Sequence, residues 1–386
     1  MKYNFDEIIP RRNTYSIKWD AATDANVLPM WVADMDFRTA PAVIQALENR
    51  ARHGIFGYVK TPDKYYKTVT AWFQKRHNLK IETGHILPTT GVIPALSAII
   101  KSLTAPGDKI LIQTPVYNCF FTVIQNNGCE IVANSLLYEN GTYRIDFDDL
   151  EKKAADPQVK LLLLCNPHNP AGRVWTPQEL TRLGEICLRN NVRVIADEIH
   201  CELVSPGHRY TPFASLSQEF LQHSVTCTSP SKAFNLAGLQ VANIFAADEE
   251  TRNKIDRTLH SYEASALNSF AVEGLIAAYA DSEEWLEELN RYLYANYLHL
   301  KDFFNRHLPQ YPVLPLEGTY LVWVDCSASG QTSDEIARAL LEHEKLWINP
   351  GSMYGSEGKH FIRINIACPR ALLTEGLEKL KHHFTE

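Results

Sequence analysis

The sequence predicts an α/β protein: a large domain built on a mainly parallel sheet, followed by a smaller α+β domain. Three observations predict it. Between residues 85 and 250, short β-rich apolar runs alternate with helix-length amphipathic segments, as βαβ units require. One of those runs, LLLLC at 161–165, is apolar without alternation, the pattern of a strand covered on both faces. From about residue 311 strands and helices follow in a different, mixed order.

The strand candidates, in order, are KILIQTP, EIVANSLL, VKLLLLCNP, VRVIADE, SVTCTSPS and VANIFAA. Helices are expected over 92–104 after TTGV, over 177–190, and over 264–280. The second opens with Thr176 as N-cap and Pro177 at the first helical position, where a missing N–H costs nothing. A longer helical pattern over 282–307 has no strand beside it and reads as the bridge between domains. Ser282 stands at its N-cap, with Glu283 and Glu284 in the first turn. TYLVWVD and HFIRINIA then read as strands, with helices near 332–345 and 370–384. The first thirty residues read as an arm packing with this second domain. The expected division is 45–285 for the large domain, with 1–44 and 286–386 forming the small one.

The chain has 386 residues, 45% of them apolar, enough for a large core. A net charge of -7 argues against nucleic acid or an anionic membrane as main partner, since both need a basic face. Eight cysteines lie scattered without CxxC or Cys/His spacing, which favours reduced core thiols over disulfides or zinc. No apolar run approaches the roughly 18 residues of a membrane helix, and MKYNFDEIIPRRN has no apolar leader core, so a cytoplasmic location is expected.

Four features sit where strands end, which is where open α/β sheets bind ligands. CNPHNPAG turns the chain after Cys165 and leaves Asn166 and Asn169 with free amides. IADEIH sets Asp197 and Glu198 at a strand end, and PTTGVIPALSAII starts a helix whose first N–H groups, at Gly91, Val92 and Ile93, suit a phosphate. TSPSKAFNLAGLQ carries Lys232, its only charge. Each alone has a bland reading as a turn, a cap, a helix start or a solvated lysine. Together they match pyridoxal 5'-phosphate (PLP): an amine for its aldehyde, a carboxylate for its ring nitrogen, and a helix end with hydroxyls for its phosphate. Tyr117, in TPVYNCFF, can stack on the ring.

NPHNPAG, ADEIH, SPSKAFNLAGLQ and FIRINIACP, in this order, make the chain resemble the PLP enzymes of the aspartate-aminotransferase fold over essentially its full length. The resemblance implies a large domain whose mainly parallel, seven-stranded sheet is sandwiched by helices. KWD (18–20), MWVADMDF (30–37) and DEIH are similar to the branch of cystathionine β-lyases and cysteine-S-conjugate lyases. By this resemblance Lys232 holds the cofactor and moves the substrate Cα proton, Asp197 pairs with the ring nitrogen, and Asn169 binds the phenolic oxygen. Tyr117 stacks on the ring; Gly91, Val92, Ile93 and Ser229 hold the phosphate; Tyr58 reaches the phosphate of the neighbouring subunit of a homodimer with shared active sites. Arg363 grips the α-carboxylate of an amino-acid substrate, helped by Val32 and Ala33. His200 stands where aminotransferases carry tyrosine and would titrate near neutrality. Gln240 stands where they carry an arginine against the phosphate.

The expected reaction is β-elimination from cystathionine or a related L-cysteine S-conjugate, giving a thiol, pyruvate and ammonia. An aminotransferase using the same residues is the alternative. A regulator acting through a protein partner is the alternative of another class, because relatives in this branch also bind a transcription factor.

Overall fold

Strand pairing follows the apolar runs. In a computed structural model describing residues 2–385, one sheet contains β1 (Ile86–Thr89), β2 (Lys109–Ile112), β3 (Glu130–Ala133), β4 (Val159–Cys165), β5 (Arg193–Asp197), β6 (Ser224–Thr228) and β7 (Ala242–Phe245). Their spatial order is β1-β7-β6-β5-β4-β2-β3. Neighbouring strands from β2 to β6 are parallel; β7 runs against both β1 and β6. Leu161, Leu163 and Cys165 enter one apolar cluster while Leu162 and Leu164 enter another, so β4 is indeed covered on both faces. Helices Val92–Leu103 and Glu249–Ser261 cover the first face, and Pro177–Arg189 the second.

The edge strand β1 was not among the expected strands. Its four residues include Pro88, which cannot donate to a ladder and is tolerated at an edge. Three expected boundaries also move. EIVANSLL is a strand only as far as Ala133, the helix expected from 264 begins at Ser269 with Asn268 as its cap, and the one expected to 345 ends at Glu342. Thr176 caps as expected, within a reciprocal capping box with Glu179. Ser282 does stand at the N-cap of Glu283–His307, but its hydroxyl donates to the Ala277 carbonyl instead of capping.

The second sheet pairs β8 (Leu321–Asp325), β9 (Asn349–Pro350) and β10 (Phe361–Asn365) antiparallel in the order β8-β10-β9. The N-terminal segment joins this part of the molecule: Leu28–Pro29 pairs parallel with Leu346–Trp347, and Phe5 packs against Phe37, Trp285 and Tyr292. All eight cysteines are free, and all but Cys119 are buried. No helix among the described residues is long and apolar enough to cross a membrane.

Candidate active site

The strand order reverses between β2 and β4: the chain leaves β2 for β3 on one side and returns to β4 on the other. A crevice opens at such a switch point beyond the carboxyl ends of the strands. Tyr117 follows β2, Asn169 follows β4, Asp197 ends β5, and Lys232 follows β6. All four line one cavity of about 160 Å³, together with Ala33, Gly91, Val92, Ile93, His200 and Ser229.

Lys232 is held rather than solvated. Its ammonium donates to the Ala33 carbonyl at 2.7 Å, which also accepts from the Tyr320 hydroxyl at 2.9 Å. Burial pushes the amine down to about 8, helped by the positive charge of Arg363 and opposed by Asp34 and Asp197. Asp197 has the opposite problem. Loss of hydration pushes its carboxyl up to about 7, although the Ile199 N–H and the Lys232 charge favour the ionised form. A cation placed against Asp197 would restore its ionisation.

The Ala33 carbonyl is fixed by a charged knot that carries the KWD and MWVADMDF residues. Lys18, 1% exposed, donates to Asp36 at 2.7 Å; Arg11 bridges Asp36 and Asp34 at 2.6 and 2.9 Å; the Trp19 indole N–H reaches Asp36 at 2.8 Å. From the lysine's side, Asn235 adopts a left-handed conformation (φ 55°). Its amide donates to the Met35 and Phe37 carbonyls at 3.0 Å each.

Arg363, on β10 and 3% exposed, donates to Asn169 Oδ1 at 3.1 Å and to the Trp31 carbonyl at 2.8 Å. It therefore borders the cavity through Asn169. The Val32 and Ala33 carbonyls are taken by Asn365 and by Lys232 with Tyr320. The Ala33 N–H has no partner among the described residues.

Two sequence expectations need correction. Asn166 has no free amide: it donates to Glu198 at 3.1 Å and to the Thr211 carbonyl at 3.0 Å, bracing the turn. His200 does not titrate near neutrality, since burial first, then the Lys232 and Arg363 charges, hold it well below its ordinary value. Tyr58 is away from this cavity and fully exposed, beside exposed Ile55 and Phe56. Ser229 lines the cavity, but its hydroxyl proton goes to the Val241 carbonyl at 2.6 Å. Ser231 and Thr90, neither of them assigned from the sequence, line the same cavity, and among the described residues their hydroxyls make no hydrogen bond. Both lie beside motif residues, which was the available signal.

The arrangement fits PLP. The helix Val92–Leu103 starts at the cavity wall with no side-chain cap, so its first N–H donors lack partners among the described residues. Gly91 there has φ 154°, a value side chains rarely adopt. The buried Nδ1 of His200 also has no partner among the described residues. The model for aminotransferase class I and II matches residues 25–380. The chain belongs to that family. Cystathionine beta-lyase PatB of Bacillus subtilis is similar to this chain, 43% identical over 384 residues that cover 98% of this chain and 99% of PatB. Cystalysin from Treponema denticola, whose structure contains pyridoxal 5'-phosphate, is 33% identical with a TM-score of 0.96, covering 100% and 99% of the two chains. The PLP-bound C-S lyase from Staphylococcus hominis is 34% identical with a TM-score of 0.94, covering 100% and 98%.

Proposed function

We propose that the chain is a PLP-dependent carbon–sulfur lyase acting by β-elimination on cystathionine or a related L-cysteine S-conjugate. The observation that carries the reading is the single cavity holding the Lys232 amine, the buried Asp197 carboxylate and the uncapped helix start. Full-length similarity to C–S lyases selects the reaction within the family.

Lys232 would hold the cofactor through its aldehyde carbon, Asp197 would pair with its ring nitrogen, and Tyr117 and His200 would lie against its ring. Gly91, Val92 and Ile93, with Ser229 or the freer hydroxyl of Ser231, would receive its phosphate. When bound, PLP supplies an electron sink for negative charge left at the substrate Cα. Arg363 and the Ala33 N–H bind the α-carboxylate, fixing the Cα–H bond toward Lys232. With a value of about 8, the freed Lys232 amine is a competent base near neutral pH, and the Ala33 carbonyl keeps it aimed. Once Cα has lost its proton the Cβ–S bond breaks, releasing the thiol and leaving a three-carbon product that hydrolyses to pyruvate and ammonia.

The active enzyme is a homodimer in this reading. The support is an exposed apolar group, Ile55, Phe56 and Tyr58; in such a dimer Tyr58 would reach the phosphate of the neighbouring subunit. The large domain spans 45–285; 1–44 and 286–386 form the small one. Incubation with L-cystathionine tests the reaction: thiol and pyruvate appear together, and Lys232→Ala produces neither. Transamination without thiol release would give the site to an aminotransferase instead.

A further inference from the structure

We propose that Tyr354 is a positioning residue for substrate binding: its ring is the platform that orients the Arg363 guanidinium toward the α-carboxylate. This rests on the reading of Arg363 as the carboxylate-binding group. Tyr354 is fully buried, and the Arg363 guanidinium carbon lies 4.9 Å from its ring centroid. Both hydrogen-bond acceptors of Arg363, Asn169 Oδ1 and the Trp31 carbonyl, are neutral oxygens, and among the described residues it forms no ion pair. A carboxylate partner inside the protein would compete with the substrate's own carboxylate. An aromatic face stabilises the cation without doing so, and limits the tilt of its plane.

The ring is itself immobilised. Its hydroxyl accepts from the Asn349 amide at 2.9 Å, and the same amide donates to the Trp31 carbonyl at 3.0 Å. That carbonyl also receives Arg363, so Arg363, Tyr354, Asn349 and Trp31 form a closed circuit. Strand register enforces it: Asn349 and Trp323 are the cross-strand partners of Arg363 on its two sides. Trp323 meets the Tyr354 ring edge-on at 5.6 Å. The Arg363 Nε–H, buried and without a partner among the described residues, remains for a ligand. The main chain of Tyr354 joins the circuit to the stacking residue, since its carbonyl accepts from Val116, next to Tyr117, at 2.8 Å.

The test uses the holoenzyme with an L-cysteine S-conjugate and its methyl ester, which lacks the carboxylate charge. Tyr354→Leu is expected to raise KM for the acid about tenfold with kcat within about twofold, and to lower the acid-over-ester preference by the same factor. Tyr354→Phe keeps the ring and holds KM within about threefold of the parent. Arg363→Met separates the proposal from the reading beneath it. If Arg363→Met raises KM for the acid and Tyr354→Leu does not, the platform is refuted and the carboxylate site stands. If neither does, both are refuted. Equal losses on acid and ester in Tyr354→Leu reduce the ring to packing and overturn the proposal.

Discussion

Replacing Asp197 with asparagine should stabilise the cofactor-free protein while weakening the holoenzyme. In the folded chain the Asp197 carboxyl is pushed up to about 7 from an ordinary 3.8, with burial as the largest cause. Between those values the folded state binds more protons than the unfolded one, so stability falls as pH rises, and above about 7 the whole penalty is present. At about 1.4 kcal/mol per pH unit, ionising Asp197 costs about 4 kcal/mol at pH 8 and less than about 2 at pH 5. Asparagine keeps the shape and can still accept from the Ile199 N–H, but it never ionises. Cofactor-free Asp197→Asn should therefore melt about 5 °C above the parent at pH 8, the advantage more than halving at pH 5. Glu198, also pushed up to about 7, keeps its burial and hydrogen bonds in both proteins and loses only the Asp197 charge, the smallest of its causes, so it largely cancels. With PLP bound the sign reverses, because the ring nitrogen loses its counter-charge. An advantage independent of pH, or none at pH 8, would refute the assignment of Asp197 as a site bought at the expense of stability.

Other consequences can be checked together. Lys232→Ala should lower kcat for thiol release by at least about 10³-fold, since it removes both the cofactor's tether and the base; a smaller loss would point to another base. In the parent enzyme, kcat should climb as pH passes through about 8, where the Lys232 amine loses its proton, and then level off. Asp36→Asn leaves the buried Lys18 ammonium only its longer ion pair with Asp34, at 3.6 Å, and should cost about 3 kcal/mol in urea unfolding; a cost below about 1 kcal/mol would show the knot to be dispensable. Tyr58→Ala should leave each monomer folded but raise the PLP dissociation constant about tenfold, a change absent if Tyr58 does not reach the neighbouring subunit's phosphate.

Much of the fold was readable because its signals are local. LLLLC needed only its own five residues to declare a doubly covered strand, and Thr176–Pro177 carried a helix start in two. β1 was hidden because four residues with a proline at a sheet edge carry no periodicity. In the site, Asp197, Asn169 and Lys232 stood at strand ends in punctuated turns, where a topological rule could find them. What escaped was whatever depends on distant pairing. The contact of Asn235 with Met35 spans 200 residues, that of Arg363 with Asn169 spans 194, and neither leaves a pattern in either segment. His200 was misjudged for the same reason. Burial by the folded chain is the larger cause of its lowered value, and the Lys232 and Arg363 charges that add to it are remote in sequence.

The most direct test of the account is a single reaction vessel containing the holoenzyme, L-cystathionine and 2-oxoglutarate. A carbon–sulfur lyase yields thiol, pyruvate and ammonia in equal amounts and no glutamate. Glutamate accumulating without thiol or pyruvate would contradict β-elimination and return the site to transamination.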